Sequence, residues 1–305
     1  MEMASRKEGS PVSRFADRRV TGGLLAVATL AGVLAGPALA SGAGAASFSD
    51  ATAAVAVKAE RGLTYGGSTS AKDPIVIGLS RDGSRVTRLS MQFSAKCTSG
   101  KEFPLFMGPQ ASFAIAKNGS FRGEQADTVD LGGGVSARET ATLSARVKGL
   151  QLHGSSKLHA EVIDATGAVI DTCEQAVTFK AVASQGRVFA GVTSGRTPLV
   201  IELAGNGASV RHFHIGWRAT CTPAGEFSVG DTLRNFPIVK GRFGDRFEDT
   251  SSGPEGQFKV AYSVRGKIVG PKATGTFRLT ITRTDATGAT TTCDTGPLTY
   301  KTTSG

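Results

Sequence analysis

The chain has 305 residues, enough for one large domain or two ordinary ones. It carries 40 glycines, 20% charged residues and short runs of Thr, Val and Ser, and it shows no sustained helical period after residue 60; this argues against a helical fold and for short strands joined by tight turns. The formal charge of +10 divides into about +2 over residues 1–46 and about +8 beyond, with basic residues scattered among acids and no aromatic–basic interleaving, which argues against nucleic acid as a partner and fits either plain solubility or an anionic cell-wall polymer or polysaccharide.

Residues 1–46 read as a signal peptide with its cleavage region. A polar, basic start ends in Asp17-Arg18-Arg19, Val20 to Leu39 carry no charge, and Ala38-Leu39-Ala40 precedes the small residues Ser41 to Ala46. This is the basic, apolar and A-x-A order of a secretory signal, with cleavage expected after Ala40 or Ala46. Gly22, Gly23, Gly32, Gly36 and Pro37 dilute the run, which disfavours an uncleaved membrane anchor, the only membrane contact expected. The Arg18-Arg19 pair resembles a twin-arginine signal but lacks strong hydrophobic residues after it. Residues 47–61 form a lead-in linker.

The next segments repeat each other. Residues 65–97 align without a gap to 189–221, keeping Gly67/Gly191, Thr69/Thr193, Ser70/Ser194, Pro74/Pro198, Val76/Val200, Gly83/Gly207 and Cys97/Cys221 in register. Further on, Phe113 matches Phe236, Asn118 to Phe121 match Lys240 to Phe243, and Val147-Lys-Gly149 matches Val264-Arg-Gly266. Asp164-Ala-Thr-Gly167 recurs as Asp285-Ala-Thr-Gly288 before Cys173 and Cys293. The period is domain-sized, which predicts two tandem domains, 62–181 and 187–301, rather than a solenoid.

Within a repeat, Ile75–Leu79 and Leu199–Leu203 read as buried strands, and Asp82-Gly83 and Asn206-Gly207 as turns. The following strand alternates. Leu89, Met91, Phe93, Ala95 and Cys97 share one face, and Arg88, Ser90, Gln92, Ser94 and Lys96 the other; in the second repeat Phe213, Ile215, Trp217, Ala219 and Cys221 face in, and His212, His214 and Arg218 face out. Seven to nine short strands per repeat predict an all-β chain of two antiparallel β-sandwiches, immunoglobulin-like or jelly-roll-like. Two cysteines per repeat at equivalent positions predict the disulfides Cys97–Cys173 and Cys221–Cys293, the one pairing that respects the duplication. A zinc site built on the cysteines would need closer Cys or His spacing.

No catalytic, cofactor-binding or metal-binding residue is assigned, and no cofactor is expected. His212 and His214 lie two apart on one strand and could offer two imidazoles to a metal, but no third ligand is evident and an exposed sheet face accounts for them. His153 and His159 have no counterparts in the second repeat. Trp217 reads as a core residue beside a disulfide rather than a sugar-stacking platform. Glu226, Asp231, Asp245, Glu248, Asp249 and Glu255 read as loop charges; a pair among them is the basis of a less favoured reading as a secreted hydrolase. Gly132-Gly133-Gly134 lacks the context of a phosphate loop. Asn118-Gly-Ser120 is a turn as much as a glycosylation sequon, and Thr69-Ser70 and Thr193-Ser194 should fix a strand–turn geometry.

The aromatic-G-x-T-S segment, the Pro-led apolar run, the Cys with its Gly-bearing loop and the closing D-x-x-G…C together resemble a group of secreted tandem-repeat β-sandwich proteins of high-GC Gram-positive bacteria. The resemblance covers residues 65–301, implies an exported, non-catalytic module and carries no functional residue across. The expected function is that of a secreted or cell-envelope, non-enzymatic protein with a binding or spacer role, the alternative being a carbohydrate- or cell-wall-polymer-binding module.

Overall fold

A computed structural model of the chain describes residues 62–108, 112–132, 134–223, 225–253 and 256–305. The expected export segment and lead-in lie outside the described residues. The chain is all-β, with eighteen strands in two sheets and no helix among the described residues. The first sheet holds β1 (Thr64–Thr69), β2 (Pro74–Leu79), β3 (Arg85–Cys97), β4 (Glu102–Met107), β5 (Phe113–Ala114), β6 (Ser120–Gly132), β7 (Val135–Lys148), β8 (Gln151–Ile163) and β9 (Val169–Val182). The second holds β10 (Val188–Thr193), β11 (Pro198–Leu203), β12 (Ser209–Thr222), β13 (Glu226–Pro237), β14 (Arg242–Gly253), β15 (Gly256–Val269), β16 (Lys272–Thr284), β17 (Thr290–Asp294) and β18 (Leu298–Ser304).

The main paths run β4-β3-β2-β1-β9-β8-β7-β6 and β13-β12-β11-β10-β18-β16-β15-β14. Instead of the separately bonded facing layers of a sandwich, each set of nine strands is one continuous antiparallel sheet. In the second, β17 bonds to both β16 and β12, so β12-β11-β10-β18-β16-β17 closes into a six-stranded barrel. In the first, the single long β9 takes both closing positions, pairing β1 near its end and β3 at Cys97↔Cys173. Most strands after β5 are also longer than the short ones expected, because continuous 12- to 14-residue strands can bend across the core without interruption.

Inward side chains form one apolar core per sheet. Leu89, Met91, Phe93 and Ala95 meet Leu143, Leu158 and Phe179 in the first, and Phe213, Ile215 and Trp217 meet Phe243, Phe277 and Leu279 in the second. The disulfides Cys97–Cys173 and Cys221–Cys293 are present as expected, each between directly opposed residues of paired strands.

The Thr-Ser pairs act as strand–turn locks. Thr69 Oγ1 accepts from Asp73 N, and Thr193 Oγ1 from Thr197 N, across turns in which Lys72 and Arg196 have φ of 73° and 60°. The adjacent serine grips the neighbouring strand: Ser70 N donates to Thr178 O, and Ser194 N to Thr299 O. Gly67 and Gly191 occupy strand positions where a Cβ would fall 2.0 Å from Lys180 O and 2.6 Å from Lys301 O, so only glycine fits. One sequence match shifts. Val147 N donates to Gly119 O as Ile268 N does to Gly241 O, so Val147-Lys-Gly149 corresponds to Ile268 to Gly270 rather than to Val264 to Gly266.

The two sheets pack against each other through corresponding strands: β1 against β10, β2 against β11 and β4 against β13. Val76, Val188, Ala190 and Val200 form a small buried cluster there, with Val182 against it. Val76 and Val200 hold the same place in their sheets, opposite Ser90 and His214. Gln92 reaches its own counterpart, since a Cβ on Gly216 would lie 2.6 Å from Gln92 Oε1. This is the self-complementary pattern of an approximate two-fold contact. It corrects one expectation: Ser90, Gln92 and His214 lie on the outer face of their strands but are buried, Gln92 completely, because that face is covered.

Candidate functional site

The second sheet gathers three potential metal ligands on its outer face. Asn206-Gly207 turns β11 into β12, with Asn206 Oδ1 accepting from Ala208 N and Gly207 at φ 70°. Beyond the turn, Leu203 pairs with Val210 but Glu202 pairs with His212, so Arg211 is an extra residue in a β-bulge. Without the bulge Glu202 would oppose Arg211. With it, Glu202 and the alternating His212 and His214 share one face.

His212 Nδ1 lies 2.7 Å from Glu202 Oε2, and His214 Nε2 lies 3.8 Å from Glu202 Oε1. The imidazole centroids are 5.3 Å apart. One donor atom from each of the three residues falls within 4.8 Å of the others. Thr232 of β13 holds His214 from behind, Oγ1 to Nδ1 at 2.8 Å, and Thr232 Oγ1 lies 3.4 Å from Lys72 O in the turn between β1 and β2. The His214 side chain is 6% exposed, against 22% for His212 and 27% for Glu202. The third potential ligand, which the sequence did not reveal, is Glu202. Its signal was its place in the hairpin, which becomes readable only once the bulge is known. The corresponding residues of the first sheet are Gly78, Arg88 and Ser90.

A second polar feature lies at the contact between the sheets. Asp127 of β6 and Glu139 of β7 are cross-strand partners beside Leu105, Phe106 and Met107, lining a shallow cleft. The Arg218 guanidinium sits over the Phe106 ring, 4.9 Å from its centroid. Burial, reinforced by the Asp127 carboxylate and opposed by Arg218, pushes the Glu139 carboxyl up to about 7.

The remaining candidates separate. Trp217 is buried in the core with the Cys221–Cys293 disulfide, as expected, and its Nε1 donates to Asp231 Oδ2 at 2.8 Å. The carboxylates read as loop charges stand mostly on strands. Asp231 is on β13, while Asp245, Glu248 and Asp249 are spread over both faces of β14. Asp245 accepts from the Tyr262 hydroxyl and Glu248 pairs with Lys259 at 2.6 Å. Glu255 lies outside the described residues. His159, on β8, is near Glu161 and Glu174 on an exposed surface. Asn118 Oδ1 accepts from Ser120 N and Oγ, the turn expected there. No protein family, curated protein or solved structure matches the chain.

Proposed function

We propose that the chain is an exported, non-enzymatic protein of the cell envelope or exterior, in which two copies of a disulfide-closed β module form one rigid binding or spacer unit. The observation that carries this reading is the contact between the sheets. Corresponding strands meet there, and Val76, Val200, Gln92 and His214 are buried in it. Such a contact holds the modules in fixed relation instead of leaving them as beads on a tether. The short link from Val182 to Val188, in which Val188 N donates to Ser184 O, restricts them further. Two disulfides suit a non-reducing compartment, and the start of the sequence supplies a signal-like segment.

The partner class best matched by the charge is an anionic cell-wall polymer or polysaccharide, because the segment beyond residue 46 carries about +8. Incubating the secreted chain with purified wall polymer tests this. Retention that falls steeply as salt is raised is the expected result. Intracellular protein with residues 1–40 still attached, or no salt-sensitive retention on the polymer, would overturn the proposal.

A further inference from the structure

We propose that Glu202, His212 and His214 bind one divalent transition-metal ion of the zinc class, a site independent of the exported binding role. Two imidazoles and a carboxylate are a donor set that such ions take, and three protein ligands leave a coordination position for water or a ligand. Ligand bonds of roughly 2.0–2.2 Å place neighbouring tetrahedral donors about 3.3–3.5 Å apart. His212 Nδ1 stands 2.7 Å from Glu202 Oε2 and His214 Nε2 3.8 Å from Glu202 Oε1, on either side of that value. One donor atom of each residue lies within 4.8 Å of the others, so binding one ion requires the side chains to rotate inward but no change of backbone.

An ordinary cross-strand ion pair would need only His212 and Glu202. The second imidazole distinguishes the site, being almost fully buried yet turned toward the same carboxylate. Its Nδ1 is engaged by the Thr232 hydroxyl, which lies near the Lys72 carbonyl. When the hydroxyl gives its proton to that carbonyl it accepts from Nδ1–H, and in that tautomer Nε2 is the ring nitrogen on the Glu202 side. Outer partners commonly orient metal-binding histidines in this way. The scaffold does not require the trio, because the first sheet makes the same bulge with Gly78 and Arg88 opposed. His212 and Glu202 remain open enough for an ion to enter from solvent.

The test uses the full mature chain without a histidine tag, stripped with chelator and titrated with Co²⁺ and then Zn²⁺ at neutral pH. Expected are uptake of one equivalent, visible ligand-field absorption from Co²⁺, its loss on adding Zn²⁺, and a higher melting temperature with Zn²⁺. His212→Gln, at the accessible ligand, should weaken binding by more than about 100-fold, and Thr232→Val by about 10–100-fold. His159→Gln should leave binding unchanged. Binding should weaken as pH falls, since protons compete for the ligands. Melting of each metal-free variant separates loss of a ligand from loss of the fold, and in any variant that unfolds Glu202→Gln replaces it. Absence of saturable uptake, or uptake that His212→Gln leaves intact, would overturn the proposal.

Discussion

At the scale of single residues, polar side chains in the contact between the sheets have environments that their own strands do not explain. Glu139 sits among apolar neighbours with Asp127 directly opposite, and its carboxyl is pushed from an ordinary value near 4.5 to about 7. The folded protein therefore holds a proton that the unfolded chain releases between these values. The contribution of Glu139 to stability is full below about pH 4.5, falls as pH rises toward 7, and is lost above it. Urea denaturation midpoints across this range should show that decline for the parent chain, and Glu139→Gln should remove most of it; an unchanged slope would contradict the assignment. Asp285 behaves in the opposite sense. Its carboxylate accepts from the Thr287 hydroxyl and from the Thr287 and Ala289 amides, which hold it below its usual range. Asp164 does the same with Thr166 and Ala168. The repeated D-A-T-G was legible as a turn because Asp and Gly carry the mechanism locally, with Gly167 and Gly288 at φ 87° and 85°.

At the scale of elements, the short strand β17 closes the second sheet. It meets β12 through Thr220↔Asp294, Cys221↔Cys293 and Thr222↔Thr292, so the disulfide lies at the centre of a brief pairing. Replacing both Cys221 and Cys293 by Ala should lower unfolding stability by about 2–5 kcal/mol. Amide exchange at Thr220 and Thr222 should also rise above that in the cores of β15 and β16, a local opening that hydrogen exchange detects. The alternation of β3 and β12 correctly assigned the core faces, since every second side chain of a strand points the same way. It could not show what covers the other face. Alternation alone therefore places Gln92 and His214 toward solvent, and in the sequence the bulge at Arg211 has no mark that separates Glu202 opposite His212 from Glu202 opposite Arg211.

At the scale of the whole molecule, the contact between the sheets depends on small residues where backbones approach. A Cβ on Gly66 would meet Ala190, Val188 and Val200 side chains at 2.8–3.1 Å, all from the other sheet. Gly66→Val should push the sheets apart and destabilise their contact by about 1–3 kcal/mol. Small-angle scattering should record a larger radius of gyration, and limited proteolysis should cut faster between Val182 and Val188; unchanged scattering and proteolysis would show that the contact does not constrain the pair. The β-rich class, the inward faces, the turns and the cysteine pairing are legible along the chain, because each rests on local spacing or on matching positions in it. That each set of strands is one curled sheet, that outer faces become interior, and that Glu202 joins His212 and His214 emerge in three dimensions alone, because closure, coverage and a one-residue shift of register depend on which strands meet in space.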